Sequence, residues 1–138
     1  LAADPALLLL DEPFGALDEA TRESCQELML ELRGKYTMLI VTHELNEAIY
    51  VSDRVIGLSQ HWLWEKEKYS EHPGATIVYD AASPVFPRDR VEMSRNFHEQ
   101  RSEIRQAAFE PSMRHQRGKF VRFWRECEEG KGVGVMQS

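Results

Sequence analysis

The chain has 138 residues, of which 42% are hydrophobic and 29% are charged, a balance that is typical of one folded domain with a modest core. Its net charge of −6 argues against nucleic acid as a partner of the whole chain. Cys25 and Cys127 are far apart in sequence, which excludes a disulfide framework and a cysteine metal motif. No apolar run approaches the ~20 residues that a membrane-spanning helix requires.

The charge is divided unevenly along the chain. Residues 1–85 carry 6 Lys+Arg against 15 Asp+Glu, a net charge of −9, whereas residues 86–138 carry 11 against 8, a net charge of +3. We therefore predict two parts, a domain segment over residues 1–82 and a charged extension over residues 83–138. Because the chain starts at Leu1 and enters a strand within a few residues, we expect it to be the C-terminal part of a longer protein.

The first 60 residues alternate between strand and helix patterns. The apolar run 6–10 predicts a strand that is buried on both faces, and Pro13 ends it. Asp18 is placed to cap a helix whose apolar positions recur at helical spacing until Gly34. A second buried strand (38–41), a short helix (45–51) and a third strand (54–59) follow. This order predicts an α/β fold with parallel strands and right-handed crossovers.

The rest of the chain has weaker signals. Residues 60–75 indicate a loop with a helical turn, and residues 76–79 indicate a strand that pairs back as a hairpin with strand 54–59. A proline-containing linker (83–87) precedes a charged surface helix over residues 89–110. A further helix is predicted over residues 113–128, and the glycine-rich end is expected to be disordered.

Three chemically competent side chains stand at the predicted strand ends. Asp11 and Glu12 follow the first strand directly, and His43 follows the second. Ligands of open parallel sheets bind beyond the carboxyl ends of the strands, so these residues are candidates for one site. An apolar run that ends in two acids is weak support by itself, since many buried strands end in acids by chance.

The surrounding motifs are more specific. LLLLDEPFGALD, followed by VTHELNEAIYVSDRV, resembles the ATP-binding subunits of ABC transporters: LLLLDE is similar to their Walker B strand, GALD to the D-loop and VTH to the switch-histidine strand. The resemblance covers about residues 1–60, with a weaker likeness to about residue 110. It implies a P-loop NTPase-like parallel sheet core, here with a helical C-terminal extension. DEPFGALDEATR and EAIYVSDRVIGLS are most similar to importer subunits for nitrate, sulfonates such as taurine, and related small compounds.

The resemblance also implies roles for individual residues. Asp11 would hold Mg²⁺, and Glu12 would be the general base that polarises the attacking water. His43 would hydrogen-bond the γ-phosphate of ATP, and Asp18 of the D-loop would reach the partner's site across a head-to-tail dimer. We also expect Asp11 to raise the pKa of Glu12 and Mg²⁺ to lower the pKa of both carboxyl groups.

The implied function is Mg-ATP hydrolysis that powers uptake of a small solute. The implied partners are a second ATPase subunit, transmembrane permease subunits and, indirectly, a periplasmic binding protein, with no nucleic acid. The implied location is peripheral, at the cytoplasmic face of the inner membrane. The solute would be chosen by the membrane and binding-protein subunits.

Several features depart from the family pattern. Glu44 replaces the aspartate that usually follows the switch histidine, and the loop at residues 61–74 is longer than expected. The P-loop motif (Walker A), the glutamine loop and the LSGGQ-type signature, which precede the Walker B strand in this family, do not occur in residues 1–138. We therefore expect residues 1–138 alone to show no Mg-dependent ATPase activity.

Two alternatives stay open: that the chain is part of a non-transport ABC ATPase, and that it is a non-catalytic ABC-like interaction module. The basic, aromatic stretch 113–126 admits contact with an anionic membrane surface, although a charged helix that covers the domain is the simpler interpretation. His61, His72, His98 and His115 have no ligand spacing and are interpreted as surface histidines.

Overall fold

The structure is a computed structural model that describes residues 6–66, 74–83, 95–112, 114, 122–124 and 134–136. Its strands and helices alternate at first and confirm the α/β class. In chain order they are β1 (Leu7–Asp11), α1 (Glu19–Leu32), β2 (Thr37–Val41), α2 (Leu45–Val51), β3 (Arg54–Ser59), β4 (Thr76–Ala82), α3 (Arg95–Ile104), β5 (Arg122–Trp124) and β6 (Gly134–Met136). A 3₁₀ turn, Trp64–Lys66, lies in the predicted loop, and a π-helical turn, Arg105–Phe109, follows α3.

Strands β1 and β2 are parallel neighbours joined by α1, as predicted. Their register runs from Leu7 opposite Thr37 to Asp11 opposite Val41, so the two strands end level with each other. Helix α1 begins after Asp18, whose side chain accepts a hydrogen bond from the backbone N–H of Thr21. Gly34 adopts a φ of 84° just after the helix, a conformation that favours glycine.

The prediction that β1 and β2 are buried on both faces is wrong for the described residues. Leu9 is 69% exposed, and Leu39 and Val41 are 55% and 56% exposed. The opposite face is covered, since Ile40 packs against the cluster formed by Phe14, Tyr50 and Val51. Among the described residues, helical packing therefore covers one side of this two-stranded sheet and leaves an apolar face open.

The third predicted strand does not join this parallel sheet. Strand β3 pairs with β4 as an antiparallel hairpin, which confirms the predicted hairpin and corrects the parallel assignment of β3. The burial of β3 alternates along the strand, which is typical of an antiparallel strand with one covered face. Helix α3 and the π-helical turn cover that face and complete the main core. Its members are Ile49, Val55, Val78, Tyr79, Ala81, Phe97, Ile104, Ala107 and Ala108.

The C-terminal region differs from the predicted helix. Residues Arg122–Trp124 form β5, which pairs antiparallel with Gly134–Met136, so the helix predicted over 113–128 is wrong at β5 and the disordered end is wrong at β6. Aromatic and β-branched residues such as Phe123, Trp124 and Val135 favour extended pairing. The extension is thus helical at α3 and extended at β5 and β6, and the other predictions for residues 84–94 and 115–138 lie outside the described residues.

The helices of the described segments are short and carry many charged residues. None of them is both long enough and apolar enough to cross a bilayer.

Candidate functional site

The site lies where the two parallel strands end. The backbone N–H of Glu12 donates to the carbonyl of Val41 at 2.8 Å, which continues the ladder one residue past β1. Glu12 has a φ of 45°, in the left-handed region that non-glycine residues seldom adopt. This conformation redirects the chain at the end of β1, and the structure places the Glu12 side chain beside the residues that follow β2.

Glu12 and His43, both predicted from the sequence as site residues, are in direct contact. The backbone N–H of His43 donates to Oε1 of Glu12 at 3.0 Å, and ring atom Nδ1 lies 2.8 Å from the same oxygen. An ionised carboxylate only accepts hydrogen bonds, so Nδ1 carries the hydrogen in this contact. Atom Nε2 lies 3.6 Å from Oε1 of Glu44, so the imidazole stands between two carboxylates.

The contact between Glu12 and His43 shifts their two pKa values in opposite directions. The hydrogen bond from His43 lowers the pKa of Glu12, and the hydrogen bond to Glu12 raises the pKa of His43. The expectation that Asp11 raises the pKa of Glu12 is therefore wrong. Neighbouring strand residues point to opposite sides, and the turn at Glu12 directs its carboxylate to His43, which follows β2. Glu12 is thus ionised at neutral pH and accepts hydrogen bonds.

A second carboxylate, Glu47, lies behind this pair. Its side chain is buried in α2, and burial raises its pKa. The hydroxyl of Thr42 lies 3.3 Å from Glu47 Oε2 and 3.4 Å from Glu12 Oε2, while it accepts the Glu44 N–H at 3.1 Å. The Thr42 hydroxyl has one hydrogen, so it donates either to Glu12 or to Glu47. Thr42 therefore lies between the exposed and the buried carboxylate and within reach of both. Arg22 Nε lies 3.6 Å from Glu47 Oε1.

Asp18 is engaged at the start of its own helix. Its carboxylate accepts the backbone N–H of Thr21 at 3.1 Å and the Thr21 hydroxyl at 2.7 Å. These hydrogen bonds, the one from the hydroxyl first, lower the pKa of Asp18. The sequence-based prediction of a helix cap is confirmed, and the structure groups Asp18 with α1 rather than with Glu12 and His43.

Asp11 is an exposed carboxylate at the end of β1, and it takes part in none of the hydrogen bonds around Glu12 and His43. Mg²⁺ is commonly held by one or two carboxylates together with substrate phosphates and water. The hard, accessible oxygens of Asp11 fit that coordination. Within the described part of the chain there is no group of three or more His, Cys, Asp or Glu side chains that would bind a metal without such a substrate.

The sequence did not indicate the roles of Thr42, Glu47 and Arg22. The position of Glu47 between Leu45 and Ile49, in a short apolar helix, is the feature that could have indicated its role. A carboxylate in such a setting needs a polar partner. The partners themselves come from separate elements, and their approach depends on how α1 packs against α2.

Curated relatives match part of this chain. An aliphatic sulfonates import ATP-binding protein SsuB from Bacillus anthracis is 52% identical over 61 residues, which are 43% of this chain and 24% of the relative. The protein of the same name from Zymomonas mobilis is 53% identical over 62 residues, 44% of this chain and 26% of the relative. No protein-family model matches the chain.

A longer match extends past the site. The SsuB protein from a strain of Bacillus cereus is 38% identical over 108 residues, which are 77% of this chain and 38% of the relative. These matches confirm the resemblance to ABC importer ATP-binding subunits. The chain aligns with about a quarter to two fifths of the length of these relatives.

Proposed function

We propose that this chain provides the Walker B strand, the D-loop and the switch histidine of an ATP-hydrolysing ABC importer subunit. One observation carries the proposal: Glu12 and His43, at the ends of adjacent parallel strands, meet at 2.8 Å. A bound phosphate group within reach of one of these side chains is then within reach of the other. The resemblance implies a base and a phosphate-binding histidine at these two positions.

In this proposal Glu12 is the general base. Its carboxylate is ionised at neutral pH, so it accepts a hydrogen bond from water and polarises it for attack. His43 carries a hydrogen on Nδ1 and donates it, first to Glu12 and, in the ATP-bound subunit, to the γ-phosphate. Asp11 would hold Mg²⁺, which neutralises charge on the phosphates when it is bound.

Asp18 has a second role in this proposal. In the resembling family its D-loop position lies at the interface of a head-to-tail dimer, where it approaches the partner's ATP. In the structure its carboxylate is engaged by Thr21 at the α1 N-terminus. We therefore propose that Asp18 both starts α1 and presents the preceding loop to a second ATPase subunit.

The finer fold assignment is also a proposal. We infer that β1 and β2 belong to a larger P-loop NTPase-like parallel sheet, with residues 1–82 as part of the ATPase domain and residues 83–138 as its extension. The open face that includes Leu9, Leu39 and Val41 supports this assignment, because a buried parallel sheet has both faces covered.

The proposed setting follows from the names of the relatives. They are import proteins for aliphatic sulfonates, which makes an aliphatic sulfonate, a class that includes taurine, the first solute to test, ahead of nitrate. The partners would be a second ATPase subunit, a transmembrane permease and, through it, a periplasmic binding protein. The subunit would sit peripherally at the cytoplasmic face of the inner membrane.

Two other assignments compete with this one. A non-transport ABC ATPase would share the site but would not copurify with a permease. A non-catalytic ABC-like module would keep the fold without turnover. The paired Glu12 and His43 favour an enzyme, since the exposed pair is not required to fill the core.

The test is a chimera in which the matching 108 residues of the Bacillus cereus relative are replaced by those of this chain. We expect the chimera to hydrolyse Mg-ATP and Glu12→Gln to reduce turnover by about a hundredfold or more, the usual effect of losing a general base. Glu19→Gln, an exposed acid in the first turn of α1, is the matched control and should leave turnover unchanged. Full turnover in the Glu12→Gln chimera would contradict the proposed base.

A further inference from the structure

An open pocket of about 400 Å³ lies beside the candidate site, between the start of α2 and the C-terminal end of α3 with its π-helical turn. His43, Glu44 and Asn46 line one side, and Arg101, Arg105 and Phe109 line the other. The volume falls within the range of small-molecule sites. The pocket is thus formed by the site loop and by the segment that the sequence sets apart as an extension.

The two arginines offer cationic hydrogen-bond donors to an anion on one side of this pocket. Arg101 and Arg105 are four residues apart, about one turn, and both line the pocket. Neither forms an ion pair within the described residues, whereas Arg95 on the same helix binds Glu99 at 2.6 Å. Like charges at this spacing disfavour each other, and an anion between them removes that cost.

Phe109 adds an apolar surface to the pocket. Its side chain is 51% exposed, although it follows directly after the buried Ala107 and Ala108 of the π-helical turn. An exposed aromatic ring beside two guanidinium groups offers contact to a flat or apolar group attached to an anion. Glu44 and Glu110 also line the pocket, and their charges disfavour ligands with many negative charges.

We propose that this pocket binds a small organic anion: a sulfonate, carboxylate or phosphonate group held by Arg101 and Arg105, with its apolar part against Phe109. Guanidinium groups match the planar edge of such oxyanions through paired N–H donors. The inference rests on the pocket and not on ATP hydrolysis. Because His43 lines the pocket, a bound anion contacts the same loop that carries the candidate site.

The probe is benzenesulfonate, titrated by calorimetry into the full chain of 138 residues. We expect saturable one-to-one binding that falls about tenfold in Arg101→Gln and in Arg105→Gln, the loss of one charge-assisted contact. Phe109→Ala should weaken binding as well. Arg95→Gln, which removes an arginine of α3 outside the pocket, should bind like the original chain. Circular dichroism checks that each variant keeps its helical content.

Three outcomes would overturn the proposal. Absence of saturable binding would show that the pocket is open surface. Binding that is equal in the arginine variants would assign the probe to the exposed apolar faces. Inorganic sulfate that binds as tightly as benzenesulfonate, with no effect of Phe109→Ala, would show a simple ion site. Amide chemical shifts of Asn46 and Phe109 that follow the titration would place the probe in the pocket.

Discussion

His43 binds Glu12 through two separate groups, its backbone N–H at 3.0 Å and its ring Nδ1 at 2.8 Å, and both contact the same carboxylate oxygen. The backbone contact depends only on the loop conformation after β2. The ring contact also requires a hydrogen on Nδ1, and it is stronger when the imidazole is protonated. Backbone geometry therefore holds the two residues together, and pH adjusts the strength of the second contact.

The first prediction concerns the titration of His43. Its pKa is raised above the ordinary value of 6.5, mainly by the hydrogen bond to Glu12. Glu12→Gln removes the negative charge and should return the pKa of His43 toward the ordinary value. NMR titration of the ring protons measures this directly. Glu19→Gln is the control and should leave the pKa of His43 raised. Equal pKa values in the Glu12→Gln and unmodified chains would contradict the contact.

The same pair predicts a pH window for its contribution to stability. The pKa of His43 is raised, so its contribution is complete below 6.5 and is lost as pH rises through the folded value. The pKa of Glu12 is lowered, so its contribution is complete above 4.5 and is lost as pH falls through the folded value. The difference in unfolding free energy between the chain and Glu12→Gln should therefore be largest between these two pH values.

The second prediction concerns the buried acid. Burial raises the pKa of Glu47, so the folded state disfavours its charged form at neutral pH. Glu47→Gln keeps the size of the side chain and its hydrogen bond with Thr42, and should increase the free energy of unfolding at pH 7. The gain should shrink as pH falls and Glu47 becomes protonated in the original chain. Urea unfolding at several pH values measures it.

A loss of stability in Glu47→Gln at neutral pH would show that the ion pair with Arg22 outweighs burial. Arg22→Gln separates the two effects, because it leaves the acid buried without its nearest cation at 3.6 Å. That variant should be less stable than the original chain, and combining it with Glu47→Gln should recover most of the loss.

The third prediction uses a glycine in the main core. A Cβ added at Gly57 would lie 3.0 Å from the Cβ of Tyr79 and 3.4 Å from that of Ala108. Gly57→Ala should therefore reduce the free energy of unfolding by about 1–3 kcal/mol, the usual cost of overpacking. Gly15→Ala is the control, since the nearest atom to its new Cβ is 3.7 Å away. Thermal unfolding that is unchanged in Gly57→Ala would show that β3 packs more loosely against Tyr79 of β4 and Ala108 of the π-helical turn.

The elements that the sequence predicted well are those with local signals. Asp18 at a helix start and Gly34 just beyond its end define α1, and the apolar runs on either side define β1 and β2. The proximity of Glu12 and His43 also followed from the sequence, because adjacent parallel strands bring their carboxyl ends to one edge.

The remaining features depend on contacts between distant residues. The positive φ of Glu12 turns its carboxylate to His43. Nothing in the sequence indicates this conformation, because glutamate rarely adopts it. The burial of Glu47 depends on the packing of α1 against α2. The hairpin of β3 with β4 was predicted, but the separation of β3 from the parallel sheet was not, because an apolar strand of six residues suits either arrangement.

The fourth prediction concerns the open face of β1 and β2. Leu7, Leu9, Leu39 and Val41 are each at least half exposed on this face, and exposed apolar patches on strands promote association. Leu9→Lys places a charge at its centre and should lower the self-association constant of the chain about ten- to a hundredfold, since burying one leucine contributes about 1.5–3 kcal/mol. Sedimentation velocity over a range of concentrations measures the constant.

The control for this prediction is Gln60→Lys, which adds the same charge at an exposed position after β3. Equal effects of Leu9→Lys and Gln60→Lys would assign the change to net charge and leave the sheet face without a role. A selective effect of Leu9→Lys, with unchanged circular dichroism, would show that the apolar face is the contact surface. In a larger parallel core, further strands or helices would cover this face, since a buried parallel sheet has both faces packed. A face covered in that way would no longer be free to associate.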